Sequence, residues 1–121
     1  MVRVLLADDN ARFRGVLRRL LERDPEIVVV AEAGDGAEAL ELAEDVRPDV
    51  VLMDVSMPGL DGLEATYALK AQLPDVTVLM LSVGDKEQEI AAGEAEYLVK
   101  GGPAREIVDA IKRYGPVPGT A

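Results

Sequence analysis

Short apolar runs alternate along this chain with stretches whose apolar residues recur at helical spacing. Val2 to Ala7 is apolar except for Arg3, and Ile27 to Ala31, Asp49 to Met53, Val76 to Leu81 and Tyr97 to Val99 are further runs of strand length. Between the first two, Phe13, Val16, Leu17, Leu20 and Leu21 fall at i, i+3, i+4, i+7 and i+8 with arginines opposite, which predicts an amphipathic helix stopped by Asp24-Pro25. Ala37 to Val46 predicts a second helix with Leu40 and Ala43 facing inward. Leu63 to Gln72 predicts a weakly periodic third, closed by Leu73-Pro74. Asp85 to Ala92 is a poor fourth, bounded by Gly84 and Gly93 and anchored only by Ile90. Pro103 suits the first position of a last helix, whose stripe is Ile107, Val108, Ile111 and Tyr114.

Strand–helix alternation of this kind predicts an α/β fold with a five-stranded parallel sheet. Right-handed crossovers then put helices on both faces. The flavodoxin-like order 2-1-3-4-5 is expected, with the fourth helix short, displaced or partly disordered. Residues 1–114 form one domain in this reading, and Gly115 to Ala121 is a tail or the start of a linker.

The most informative stretch is Val50 to Gly62, VVLMDVSMPGLDG. Its four leading apolar residues suit a strand buried on both faces, and the run stops abruptly at Asp54. Loop chemistry follows in Met57-Pro58-Gly59 and Asp61-Gly62. The other strands end on chemistry too: strand one on Asp8-Asp9, strand four on Ser82, strand five on Lys100. Each has an ordinary reading taken singly. Asp9 or Asn10 caps the following helix, Ser82 is a turn residue, and Lys100 is a solvated charge. Taken together they set three carboxylates, a hydroxyl and an ammonium at the carboxyl edge of one sheet, where open α/β sheets bind ligands.

Composition narrows the chemistry. The 121 residues include no cysteine and no histidine, which excludes thiolate and Ser-His catalysis and leaves a metal only oxygen ligands. Three crowded carboxylates repel one another, and a hard cation such as Mg²⁺ relieves that. A metal beside a lysine suits phosphoryl transfer, with Asp54 as the nucleophile between the acidic pair and the Ser82/Lys100 side. The formal net charge of −10 argues against this chain holding nucleic acid by itself. No apolar run is long enough to span a membrane. The first residues read as a strand rather than a signal peptide, so a cytoplasmic location is expected. Gly34-Asp35-Gly36 is a turn feeding a helix, since neither a Walker lysine nor a correctly spaced third glycine accompanies it.

At this point the chain resembles the receiver domains of two-component response regulators, the CheY-like fold, over nearly all of Val2 to Tyr114. The resemblance rests on Asp8-Asp9, on Asp54-x-x-Met57-Pro58-x-x-Asp61-Gly62, on Leu81-Ser82 and on Tyr97-Leu98-Val99-Lys100. It implies that Asp54 accepts a phosphoryl group from a sensor histidine kinase. It implies Mg²⁺ held by Asp9, Asp54 and the backbone carbonyl of Ser56, with Asp8 acting through water. Ser82 would bond the phosphoryl group, Lys100 would pair with it, and Tyr97 would be the switch aromatic. Ala31 to Leu40 and a lysine not followed by proline most resemble the NarL/LuxR-type transcription regulators, whose C-terminal helix-turn-helix domain is not found within these residues. Such a domain is not an enzyme beyond its own phosphorylation and slow dephosphorylation, and any homodimer would use the first or last helix. Three departures from the family stand out: Gly101 in place of proline, Glu94-Ala95-Glu96 in place of small residues, and a connection from Ser82 to Lys100 shorter by about one helical turn.

Two other readings share some of these features. A pseudo-receiver would keep the fold as a binding module without phosphorylation. A haloacid-dehalogenase-type phosphatase needs a second aspartate two residues after the first, and Ser56 occupies that position. A flavin-binding flavodoxin is disfavoured, because no hydroxyl- and glycine-rich loop follows strand one.

Overall fold

A computed structural model describes residues 1–55, 57, 62–82, 96–99 and 102–114. The elements are β1 (Val2–Ala7), α1 (Ala11–Leu21), β2 (Ile27–Ala33), α2 (Gly36–Val46), β3 (Val50–Asp54), α3 (Gly62–Gln72), β4 (Thr77–Ser82), β5 (Glu96–Val99) and α4 (Ala104–Tyr114). The expected α/β class with a parallel sheet is observed. The strands lie in the order β2-β1-β3-β4-β5, and every neighbouring pair is parallel. The short helix expected between strands four and five falls on residues 83–95, and the expected tail on 115–121; both lie outside the described residues.

β3 explains the layering. It pairs with β1 on one side and β4 on the other, and all of its residues are buried. Successive side chains of a strand point to opposite faces, so an uninterrupted apolar run feeds two cores. Val51 and Met53, with Leu5, Ala7, Val78 and Met80, pack against Ala39 and Ala43 of α2 and Ala65 and Leu69 of α3. Val50 and Leu52, with Val4, Leu6, Leu79 and Leu81, pack against Leu17 and Leu21 of α1 and Ile107, Ala110 and Ile111 of α4. Among the described residues no helix is long and apolar enough to cross a membrane.

Several boundaries move from their expected places. β2 continues to Ala33 and α2 begins at Gly36, with Asp35 as its cap accepting from the Glu38 N–H at 2.8 Å. Glu38 reaches back to accept from the Gly34 N–H at 2.7 Å, a reciprocal arrangement like a capping box set one residue early. Val16, expected on the buried stripe of α1, is 52% exposed. Burial on α1 falls on Leu17 and Leu21. α2 ends on Arg47 in the left-handed conformation (φ 49°), where glycine is the usual residue. Arg3, the polar break in strand one, holds this corner: its Nη1 donates to the Arg47 carbonyl at 2.7 Å and its N–H to Asp49 Oδ2 at 2.9 Å.

A charged cluster ties α1 to β2. Glu32 accepts from Arg18 Nη1 at 2.8 Å and from Arg14 Nε at 3.1 Å. The Arg18 hydrogen bond is the main cause holding the Glu32 carboxyl below its ordinary range, partly opposed by desolvation, with Arg14 adding to the lowering. A carboxyl with a depressed folded-state pKa contributes stability above its unfolded pKa, and that contribution is lost as pH falls through the folded value. Glu32→Gln should therefore destabilise the protein at neutral pH by about 1 kcal/mol or less, and the difference from wild type should vanish at strongly acidic pH. Urea melts across the acid range measure this; a gap that stays constant from neutral to acid pH would mean that ionisation of Glu32 plays no part.

Candidate functional site

β1 and β3 are neighbours, and their last paired residues are Ala7 and Met53. Asp8 therefore leaves β1 at the level where β3 reaches Asp54. Asp54 is the last residue of β3, paired with Leu81, rather than a residue just beyond the strand. Carboxylate oxygens of Asp8, Asp9 and Asp54 all lie within 4.8 Å of one another. Asp8 and Asp54 are 3% and 4% exposed, while Asp9 faces solvent. The sheet order thus brings together three residues that the sequence separates.

Local hydrogen bonding fixes the acidic pair. The Asp8 N–H donates to the Ala33 carbonyl at 3.0 Å, and Asp8 Oδ1 accepts from the Asn10 N–H at 2.8 Å. Arg14 Nη1 donates to the Asp8 carbonyl. Of the two candidate caps of α1, Asn10 serves: its Oδ1 accepts from the Phe13 N–H at 3.0 Å. Asp9 is thereby left to the acidic cluster, beside the helix N-terminus whose dipole favours negative charge.

The far side of the site is set by a close approach that sequence reasoning took for loop chemistry alone. The Val55 N–H donates to the Leu81 carbonyl at 2.9 Å, and the Gly62 N–H to the Val55 carbonyl at 3.2 Å. Thr66, buried on α3, donates its hydroxyl to the Gly62 carbonyl at 2.7 Å. Gly62 sits so near β3 that a Cβ would overlap the Asp54 carbonyl oxygen and lie 2.8 Å from its carbonyl carbon and 2.9 Å from Val55 Cα. These obstacles are backbone, which a side-chain rotation does not relieve. Val55 and Met57 are buried in the core formed with α2 and α3, which anchors the start of the loop.

The donor set suits a hard divalent cation. All three groups offer oxygen, and the chain has no histidine or cysteine to compete. Their separations, none above 4.8 Å, put all three within reach of one ion at metal–oxygen distances of about 2.1–2.5 Å. Of the other expected site residues, Ser82 ends β4 opposite Val99, one step past the Asp54–Leu81 pair, and Tyr97 in β5 lies opposite Met80. Ser56 and Lys100 lie outside the described residues.

Gly62→Ala should displace the Asp54 backbone or the start of α3, at a cost of about 1–3 kcal/mol in stability. Gly15→Ala, where a Cβ meets nothing within 4 Å, is the matched control and should be neutral or stabilising. Thermal melts of the two variants compare them directly; equal stability would show that the close approach to Asp54 relaxes freely.

Known proteins share this architecture and sequence. The chain is 42% identical over 116 residues to the transcriptional regulatory protein LiaR of Bacillus subtilis (strain 168), covering 93% of this chain and 55% of that protein. It is 40% identical over 115 residues to the transcriptional regulatory protein DegU of Brevibacillus brevis, covering 92% and 49%. It spans about half the length of these curated relatives. The solved signal receiver domain of the putative response regulator NarL from Mycobacterium tuberculosis superposes with a TM-score of 0.84 at 38% identity, covering 93% of this chain and 94% of that one. Residues 4–112 match the response regulator receiver domain model, and with the acidic cluster at the carboxyl edge of the sheet this chain belongs to the response regulator receiver family.

Proposed function

We propose that this domain accepts a phosphoryl group on Asp54 from a sensor histidine kinase, in a Mg²⁺-dependent reaction, and relays the event to a transcriptional output. The observation that carries the proposal is the clustering of Asp8, Asp9 and Asp54 within 4.8 Å at the carboxyl end of the sheet. Asp9 and Asp54 would hold the ion with the Ser56 carbonyl, and Asp8 would act through water. The ion's chemistry, when it is bound, is to offset charge on the carboxylates and on the transferring phosphoryl oxygens.

In this reading Asp54 takes the nucleophilic role. A carboxylate oxygen attacks the phosphorus of phosphohistidine, an O–P bond forms, and the P–N bond breaks. The imidazole departs with that electron pair and takes up a proton. Attack of water on the acyl phosphate later returns the carboxylate, so the domain turns itself off slowly and is not an enzyme acting on other substrates. Burial of Asp54 limits access of water, and the buried Thr66–Gly62–Val55 hydrogen bonds hold its strand end in place. Lys100 would pair with the phosphoryl group. Ser82 would move toward it and Tyr97 would fill the space behind. The output would be DNA binding by a further domain, in keeping with relatives about twice as long, and this domain would act in the cytoplasm.

Incubation with acetyl phosphate and Mg²⁺ should add one phosphoryl group by intact mass, and Asp54→Asn should add none. Equal labelling of Asp54→Asn would remove Asp54 from the role. Absence of labelling in wild type would favour a pseudo-receiver, and sustained release of phosphate from an aryl phosphate would favour a phosphatase.

Mg²⁺ alone should raise the melting temperature. At ten times its Kd a ligand stabilises by about 1.4 kcal/mol, or roughly 5 °C for a domain of this size. Asp9→Ala should abolish most of that shift, and the same shift in wild type and Asp9→Ala would place the ion elsewhere.

A further inference from the structure

Arg14 is not among the residues assigned a role above, yet it touches the site. Its guanidinium donates through Nη1 to the Asp8 carbonyl and through Nε to Glu32 Oε1. The side chain is only 18% exposed. Glu32 is held in turn by Arg18, so Arg14 is anchored from behind on β2 while it grips the end of β1. Two further polar groups of Asp8 are fixed as well: its N–H by Ala33 and its Oδ1 by Asn10.

The Asp8 carbonyl belongs to the peptide plane that joins Asp8 to Asp9. Turning that plane changes ψ of Asp8 and φ of Asp9 together, and so changes where the Asp9 carboxylate projects. Asp9 is the exposed member of the triad, with neither the burial of Asp8 nor the sheet pairing of Asp54 to hold it. We propose that Arg14 is a positioning residue, which fixes the Asp8–Asp9 peptide so that the Asp9 carboxylate completes the cation site. This inference rests on the reading of the acidic triad as a Mg²⁺ site.

Two nitrogens of one planar fork are used, toward a carbonyl and a carboxylate, which a lysine ammonium reproduces only in part. Partners that orient metal ligands typically change metal affinity by about 10–100-fold when removed. Positioning and simple charge predict opposite signs. Deleting a cation near an acidic site strengthens Mg²⁺ binding by charge alone, whereas loss of positioning weakens it.

The test is the Mg²⁺ Kd by calorimetry for wild type, Arg14→Ala, Arg14→Lys and Arg19→Ala, the last an exposed arginine of the same helix with the same change in net charge. Arg14→Ala should bind about 10-fold more weakly, Arg14→Lys should recover part of the loss, and Arg19→Ala should bind as wild type or slightly tighter. Before any Mg²⁺ is added, the amide resonances of Asp9 and Asn10 should shift in Arg14→Ala and stay in place in Arg19→Ala. Should Arg14→Ala fail to fold, Arg14→Met keeps an apolar stem while removing the charge and the fork, and should likewise weaken Mg²⁺ binding by about 10-fold. Wild-type affinity in Arg14→Ala, or tighter binding, overturns the positioning role. Failure of wild type itself to bind Mg²⁺ overturns the reading of the site, and this inference with it.

Discussion

Like charges crowded at the end of a buried strand are the constraint on which this structure turns. Carboxylate oxygens within 4.8 Å of one another repel, most strongly between the two buried members, Asp8 and Asp54. A fold gains nothing in stability from that arrangement, so the surrounding structure must enforce it. β3 is the means. Its two-sided burial leaves it no freedom to slide, because a shift by one residue would exchange the faces of Val50, Val51, Leu52 and Met53. Asp54 is carried to the sheet edge by the hydrophobic packing of the residues before it.

The supports of the site are correspondingly rigid. Asn10 takes the cap of α1, which keeps Asp9 out of that hydrogen bond. Gly62 brings α3 against the Asp54 backbone, and Thr66 fastens the first turn of that helix. Side chains placed by strand ends, caps and close backbone contacts hold their geometry better than side chains on free loops, which suits a cluster of crowded like charges.

Charge elsewhere follows a different logic. A strongly acidic chain concentrates arginines on α1, and two of them converge on Glu32, where the carboxylate is partly desolvated. At the opposite end of the sheet Lys112 of α4 pairs with Asp24 at 3.0 Å and Glu26 at 2.7 Å, joining the last helix to the turn before β2. The Lys112 pairs are exposed and add little to stability. The Arg14–Glu32 pair is more buried and reaches the sheet edge that carries the acidic triad.

Much of this was legible in the chain because it depends on local periodicity. The apolar run ending at Asp54, the stripe of α1, the turn at Gly34-Asp35-Gly36 and the acidic pair after β1 are all written within a few residues of one another, and period and burial relate them directly to strand, helix and sheet edge. What only the tertiary structure decided involves partners distant in sequence. That Asn10 rather than Asp9 caps α1, that Arg14 meets Glu32, that Arg47 closes α2 in a left-handed turn without glycine, and that Gly62 is a contact surface for Asp54 all follow from which strand lies beside which. Val16 belongs to the same group, since its spacing matches its buried neighbours and yet it is exposed. Periodicity specifies which face of an element is apolar; only the packed neighbours determine how much of that face is covered and which polar groups meet at its edge.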